Sequence, residues 1–453
     1  MTYSYDQLAQ WDKQYVWHPF TQMKDWLEEE IIIVARGEGV KLYDTEGREY
    51  YDAFSSIWVN IHGHNVKELN DAIIDQLGKI AHSSYLGYGN IPATLLAREL
   101  VEIAPPGLVK VFYSDNGSTA VEVAVKMAFH YWRQCPNPRP EKNKFLTLMN
   151  AYHGDTIGAV SVGGIDLYHG TYRDLLFPTI KVAAPYCYRC PFGAKAGQCE
   201  KECEQALEKA FAEHAHELAG CVIEPVIQGA AGMITQPPGY VKKVRELCDR
   251  YDVLMICDEV ATGFGRTGAL WAVNHDGVSP DLMAISKGLT GGYMPLAVTL
   301  ATQKVYDAFY GDYAEMKTFF HGHSYTGNQL GCAVALASLE LLKKHNLVTE
   351  AARKAGVVKK VLAEFNELPH VGDIRQAGLM VGIELVRDKL TKEPYDWQEK
   401  MGIKTCLAAR KKGLITRPLG NNIVFMPPLV SNDEQLQEML EIIKASIIQV
   451  TEG

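Results

Sequence analysis

At 453 residues, 47% of them apolar, the chain can bury more core than one domain of ~150 residues needs. A net charge of −9, from 45 basic and 54 acidic residues, argues against nucleic acid as the main partner. The opening MTYSYDQLAQWDKQYVWHPF lacks the basic and apolar regions of a secretory signal, and no apolar run reaches the ~18 residues of a membrane span, so a cytoplasmic location is expected.

Near the N-terminus, GVKLYDTEGREYYDA (39–53) predicts a β-hairpin. NVKELNDAIIDQLGKIAH (65–82) spaces Leu69, Ala72, Ile73, Leu77 and Ile80 by three or four residues and predicts an amphipathic helix. Short apolar runs then alternate with helical patterns. The runs are LVKVFYS (108–114), KFLTLMN (144–150), GCVIEPV (220–226), VLMICDEV (253–260) and LAVTLAT (296–302). Such runs lack period-2 alternation, and interleaving with helices such as STAVEVAVKMAFHYW and PPGYVKKVRELCDRY predicts a mostly parallel α/β sheet covered on both faces. After about residue 330 come two helical stretches, short strand candidates IRQAGLMVGIELV and NNIVFMPPLV, and a final helix. The expected architecture is a large α/β domain over 66–330 and a smaller α+β domain from 1–65 plus 331–453.

Four strand ends carry chemistry. In YSDNGSTAVEVAVKMA (113–128), Asn116, Gly117, Ser118 and Thr119 lead a strand into a helix; the helix N-terminus suits a phosphate, and plain capping is the other reading. In MNAYHGDTIGAVSV (149–162), Tyr152 is placed to stack on a planar ring, with Asp155 on the same turn. His153 reads equally as a core histidine. Asp258 in VLMICDEVATGFGRTG ends a strand, where a buried carboxylate needs a positive partner such as a pyridinium, or else caps a turn. Lys287 in DLMAISKGLTGGYMP follows a buried strand, where lost hydration lowers an amine's pKa; a surface lysine beginning a turn is the alternative. Together the four fit pyridoxal 5'-phosphate, which requires an amine, an acid at its ring nitrogen, a phosphate cradle and an aromatic face.

The chain resembles the class III, fold-type I aminotransferases, and among them the branch that aminates 8-amino-7-oxononanoate in biotin synthesis. The likeness runs from WHPFTQM (17–23) through SSIWVNIHGH, YHGDTIGAVSVGG, CDEVATGFGRTG, SKGLTGGYMPLAVTLAT and FFHGHSYTGNQLGCAVA to RPLGNNIVFMPP (417–428). It implies that Lys287 forms the Schiff base and shuttles the proton, and that Asp258 holds the pyridinium. Gly117 and Ser118 would bind phosphate, joined by His323 and Ser324 from the other subunit of a homodimer. Tyr152 would stack on the ring and border the substrate. Arg417 would anchor a carboxylate, and Phe20, Ile57, Trp58, Asp155, Arg266 and Gly322 would line the substrate pocket. Glu224 reads as a buried structural carboxylate. Many members carry Tyr at Phe20, a second Trp at Ile57, Phe at Leu419 and an aromatic at Val424. Most use S-adenosylmethionine as amino donor; a bacillus branch uses lysine, and the thinned aromatic pocket leans towards lysine. The alternatives are another class III aminotransferase acting on an ω-amino acid or diamine, and a non-catalytic regulatory protein that keeps the fold.

One cluster falls outside this chemistry. CYRCPFGAKAGQCEKEC holds Cys187, Cys190, Cys199 and Cys203, which either bind a structural zinc or pack as unligated thiols. The spacing places Cys199 and Cys203 one turn apart on a helix. No metal is expected in the reaction itself.

Overall fold

The computed structural model describes residues 3–195 and 197–452. Seven strands form the central sheet, in the order Leu108–Ser114, Ala297–Thr302, Leu282–Ile285, Leu254–Asp258, Leu218–Ile223, Lys144–Leu148, Thr179–Val182. Every residue of Leu218–Ile223, Leu254–Asp258 and Leu282–Ile285 is buried, which is why these strands read as unbroken apolar runs. The pairings are parallel except those of Ala297–Thr302, which runs antiparallel to both neighbours. The expectation of a mostly parallel sheet therefore holds, with this one strand reversed. Its connection from Leu282–Ile285 contains only a 3-10 turn and no crossover helix, so a parallel return is impossible.

The helix Gly117–Gln134 covers one face. Asn116 starts it by accepting from the Thr119 N–H at 3.0 Å, and Cys135 before Pro136 ends it. Its Ala120, Val121, Ala124 and Ala128 pack with Val222, Ile256 and Ala284 of the sheet. Removing one such side chain, as in Ile256→Ala, costs about 2–5 kcal/mol.

The predicted hairpin is present as Lys41–Asp44 against Glu49–Asp52, and Glu49–Asp52 also pairs in parallel with Leu414–Ile415. A second sheet combines Val371–Ala377, Met380–Asp388, Asn422–Phe425 and Pro418–Leu419. The helices Leu347–Leu362, Met401–Lys411 and Asp433–Thr451 accompany it. The helix predicted over 65–82 is shorter, Lys67–Leu77; Leu69 is buried, whereas Leu77 and Ile80 are exposed. Gly78 ends it, leaving Ile80 outside the stripe. Among the described residues, no helix is long and apolar enough to cross a membrane.

Candidate active site

A cavity of about 380 Å³ opens at the C-terminal ends of the central strands. Gly117, Ser118, Tyr152, Asp258, Lys287, Ile57 and Trp58 all line it. At one end, Gly117 and Ser118 form the first turn of an 18-residue helix, so their N–H groups have no partner within it. A Cβ at Gly117 would stand 2.5 Å from Val260 Cγ1, so position 117 admits no side chain. Gly154, at φ +117°, packs its backbone on Ser118, and Ser118 Oγ accepts from the Asp155 N–H at 3.1 Å. The result is an anion cradle of backbone donors and a hydroxyl.

Asp258 ends its strand at the cavity, with Oδ1 accepting from the Val260 N–H at 3.0 Å and Oδ2 lying 2.8 Å from His153 Nδ1. His153 is buried, and its Nε2 has no protein partner among the described residues. It is thus a cavity-lining residue that steers Asp258, not merely a core histidine. Glu224 accepts from the N–H groups of Tyr152 (3.1 Å) and Gly229 (2.9 Å). Burial pushes its carboxyl up to about 7. Lys287 sits at φ +46°, a left-handed conformation, immediately after its strand. Its ammonium makes no hydrogen bond or ion pair among the described residues, and burial pulls it below the ordinary lysine range despite Asp258 and Glu224 nearby. An amine free of hydrogen bonds among the described residues, a carboxylate, an aromatic and an anion cradle around one cavity fit pyridoxal phosphate.

The opposite wall has an unusual backbone. Ser55, Ser56, Ile57 and Trp58 have φ of +54°, +49°, +64° and +69°, forming one turn of left-handed helix. Hydrogen bonds from Trp58 N to Phe54 O and from Val59 N to Ser55 O, both 2.9 Å, close it. Left-handed helix costs roughly 1–2 kcal/mol per non-glycine residue, so surrounding contacts must enforce it. The turn presents Trp58 with its ring centroid 5.0 Å from Lys287 Nζ.

Beyond the cavity an aromatic arc forms the mouth. The Arg417 guanidinium lies 5.9 Å from the Phe20 ring centroid, Phe20 meets Tyr168 edge-on at 5.4 Å, and Tyr168 meets Tyr152 edge-on at 6.3 Å. Tyr152 OH then donates to Asp155 at 2.7 Å. Tyr168 is absent from the sequence-derived set because the four-residue helix that carries it shows no periodic signal. Arg266 is buried and donates to the carbonyls of Pro427 and Asn60 (both 2.7 Å) and Trp58 (3.3 Å). It therefore meets the site through the backbone of Trp58. Gly322, His323 and Ser324 stand away from this cavity, near His82, whose Nε2 lies 2.8 Å from Ser324 O.

The four cysteines of 187–203 surround a separate small cavity of about 50 Å³. The helix there starts at Glu202, so Cys199 precedes it and only Cys203 is helical, which corrects the expected one-turn pairing. Lys201 at φ +58° breaks the helical path between them. Among the described residues, no three histidine, cysteine or acidic side chains are grouped to hold a metal ion.

Comparison with known proteins gives a consistent result. The family profile of class III aminotransferases matches residues 23–447. The adenosylmethionine-8-amino-7-oxononanoate aminotransferase of Geobacter sulfurreducens is 56% identical over 100% of this chain and 99% of its own. Its namesake from Anoxybacillus flavithermus is 54% identical over 97% of this chain and 96% of its own. The crystal structure of the enzyme of that name from Methanocaldococcus jannaschii superposes with a TM-score of 0.93 at 43% identity, covering 99% of this chain and 100% of that one. The chain belongs to the class III aminotransferases, enzymes that depend on pyridoxal phosphate.

Proposed function

We propose that this enzyme transfers an amino group to the ketone of 8-amino-7-oxononanoate, giving 7,8-diaminononanoate for biotin synthesis. The observation that carries the reading is the arc Arg417–Phe20–Tyr168–Tyr152–Asp155. It sets a cation and a carboxylate at opposite ends of an apolar surface. The acceptor has a carboxylate at one end, an aliphatic chain, and an amine beside its ketone, and so matches that order of charges. A guanidinium suits the carboxylate, Asp155 suits the ammonium, and the aromatic rings suit the methylenes. The full-length relatives carry the same reaction in their names.

When bound, the cofactor supplies the carbonyl that takes up the amino group and the electron sink for proton loss. Gly117 and Ser118 would hold its phosphate, Asp258 its ring nitrogen and Tyr152 its ring face. Lys287 Nζ would hold its carbonyl carbon at rest and, once the incoming amino group has displaced it there, the freed amine would remove and return the proton at the carbon that changes partners. Its depressed pKa keeps a fraction of the amine neutral for that task. Trp58 and Ile57 would exclude water from the opposite side.

We also propose that residues 66–330 form the large domain and 1–65 plus 331–453 the small one. The enzyme would act as a cytoplasmic homodimer in which Gly322, His323 and Ser324 complete the partner's site. Support comes from exposed large apolar side chains, including Leu86, Tyr88, Tyr310, Tyr313, Phe320 and Tyr325, of the kind that an interface covers. The donor is S-adenosylmethionine or lysine. The relatives' names favour the first, and the aliphatic Ile57 together with a hydroxyl-free Phe20 favours the second.

The test incubates cofactor-loaded enzyme with 8-amino-7-oxononanoate and each donor in turn, following 7,8-diaminononanoate by mass spectrometry. Product with one donor is expected. Amination of pyruvate or 2-oxoglutarate from an ω-amino acid, with none of 8-amino-7-oxononanoate, would replace this reading with a general ω-aminotransferase.

A further inference from the structure

Asp52 belongs to none of the motifs that carry the chemistry, yet it is fully buried beside the left-handed turn. Its Oδ1 accepts from the Ser56 N–H and its Oδ2 from Ser56 Oγ, both at 2.8 Å. His64 Nε2 lies 3.0 Å from the same Oδ2. Asn60 Nδ2 lies 3.2 Å from His64 Nδ1, so Nδ1 accepts and Nε2 carries the proton donated to Asp52. On the far side of the turn, Ser55 Oγ donates to Met426 O at 2.6 Å. Arg266 ties down the carbonyls of Trp58 and Asn60, while its third bond runs to Pro427 O. The turn is thus gripped at its start by a carboxylate and at its end by a guanidinium.

We propose that Asp52 and Arg266 are positioning residues that fix the acceptor-facing wall by clamping Ser55–Trp58 in a conformation these residues do not hold alone. Neither needs to touch substrate. Without the clamp, four non-glycine residues relax towards ordinary backbone and carry Ile57 and Trp58 away from the cavity. The tolerance for such movement is small. A Cβ at Gly229 would stand 3.1 Å from the Trp58 ring, so that ring already rests against the Gly229 backbone. Specificity for the ketone is therefore set by a wall whose position depends on a buried carboxylate. This inference rests on the proposed function only in assuming that the Ile57–Trp58 wall faces the acceptor.

The experiment compares the holoenzyme with Asp52→Asn, Ser56→Gly and the double variant, measuring KM and kcat for 8-amino-7-oxononanoate and the dissociation constant of the cofactor. Loss of the charged acceptor should raise KM about tenfold, with kcat and cofactor affinity little changed. Glycine adopts positive φ without strain, so Ser56→Gly alone should leave KM within about twofold, and in the double variant it should return KM most of the way to wild type. A merely structural role for Asp52 predicts no such rescue. An unchanged KM in Asp52→Asn, a rise that Ser56→Gly does not reverse, or an equal loss of cofactor affinity overturns the inference. If Asp52→Asn does not fold, Arg266→Lys reads the clamp from its other end against the same rescue. Wild-type enzyme that fails to aminate 8-amino-7-oxononanoate overturns the proposed function instead, and the clamp is then read on the ketone that is turned over.

Discussion

The two walls of the cavity are built by opposite means. The polar wall, with Gly117, Ser118, Asp258 and Lys287, stands where buried strands end and a long helix begins, so regular structure brings these groups to the cavity, with Lys287 alone among them at a positive, non-glycine φ. The aromatic wall, with Ile57 and Trp58, hangs on a strained left-handed turn held by distant partners. The difference assigns chemistry to the rigid part of the fold and substrate choice to the part that neighbours must hold in shape. Substitutions on the polar wall should then strike kcat, and those on the aromatic side and mouth should strike KM.

The largest effect tests the polar wall. Lys287→Ala should abolish turnover with either donor, because no other amine lines the cavity among the described residues. Single-turnover absorbance of the bound cofactor on adding donor measures it. Normal turnover would sink the assignment of Lys287.

Next comes the mouth. Arg417→Leu should raise KM for 8-amino-7-oxononanoate by about 10–100-fold, the worth of one charge-assisted pair, with kcat nearly intact. The same variant should lose nothing with 2-amino-3-octanone, which keeps the amino ketone and lacks the carboxylate. A matching loss on both ketones would place Arg417 in the chemistry and break the division between the walls.

How far the sequence discloses each wall follows from the same difference. Lys287, Asp258 and Tyr152 are legible because each follows an apolar run whose burial is written in its composition. The helix Gly117–Gln134 is legible from Asn116 and Thr119, which bond reciprocally as a capping box. The SSIW turn is not. It contains no glycine to announce positive φ, and its grip comes from Arg266, 208 residues from Trp58. Asp52 is hidden for another reason: although it grips Ser56 only four residues on, it stands at the end of a strand that reads as an ordinary hairpin arm. The reversed strand Ala297–Thr302 shows no local mark either, since an apolar run looks alike in both directions.

A smaller effect sharpens the junction between the walls. Glu224 holds the backbone of Tyr152 on one side and Gly229, beneath Trp58, on the other. It also faces His153, Asp258 and Lys287. Burial raises its pKa from 4.5 to about 7, so the folded state binds a proton that the unfolded chain has released between those values. Stability from this group is complete below about pH 4.5 and is lost as pH rises through 7. Glu224→Gln should remove that slope, worth up to about 3 kcal/mol, whatever uniform offset the lost acceptor introduces. Unfolding free energy of the two proteins from pH 5 to 8 measures it. Parallel curves would mean that Glu224 is ionised in the fold throughout.

The smallest effect belongs to the stretch that looks most informative in the sequence. The loop carrying Cys187, Cys190 and Cys199 is fastened without its sulfurs. Arg189 Nε donates to Glu384 Oε1 at 2.6 Å and Nη1 to Lys392 O at 2.9 Å, while Lys392 Nζ returns a bond to Tyr188 O at 2.7 Å. Burial raises the thiols of Cys187 and Cys203, the latter to about 11, so without a metal both sulfurs stay neutral. Replacing all four cysteines by serine should therefore leave kcat and KM unchanged and shift stability by no more than about 1 kcal/mol. Arg189→Ala, which cuts two of the fastenings, should destabilise the loop more than losing four sulfurs, read as faster proteolysis within 187–203. A chelator that lowers the Tm of the wild type but not of the serine variant would reverse this ranking and give the cysteines a bound metal.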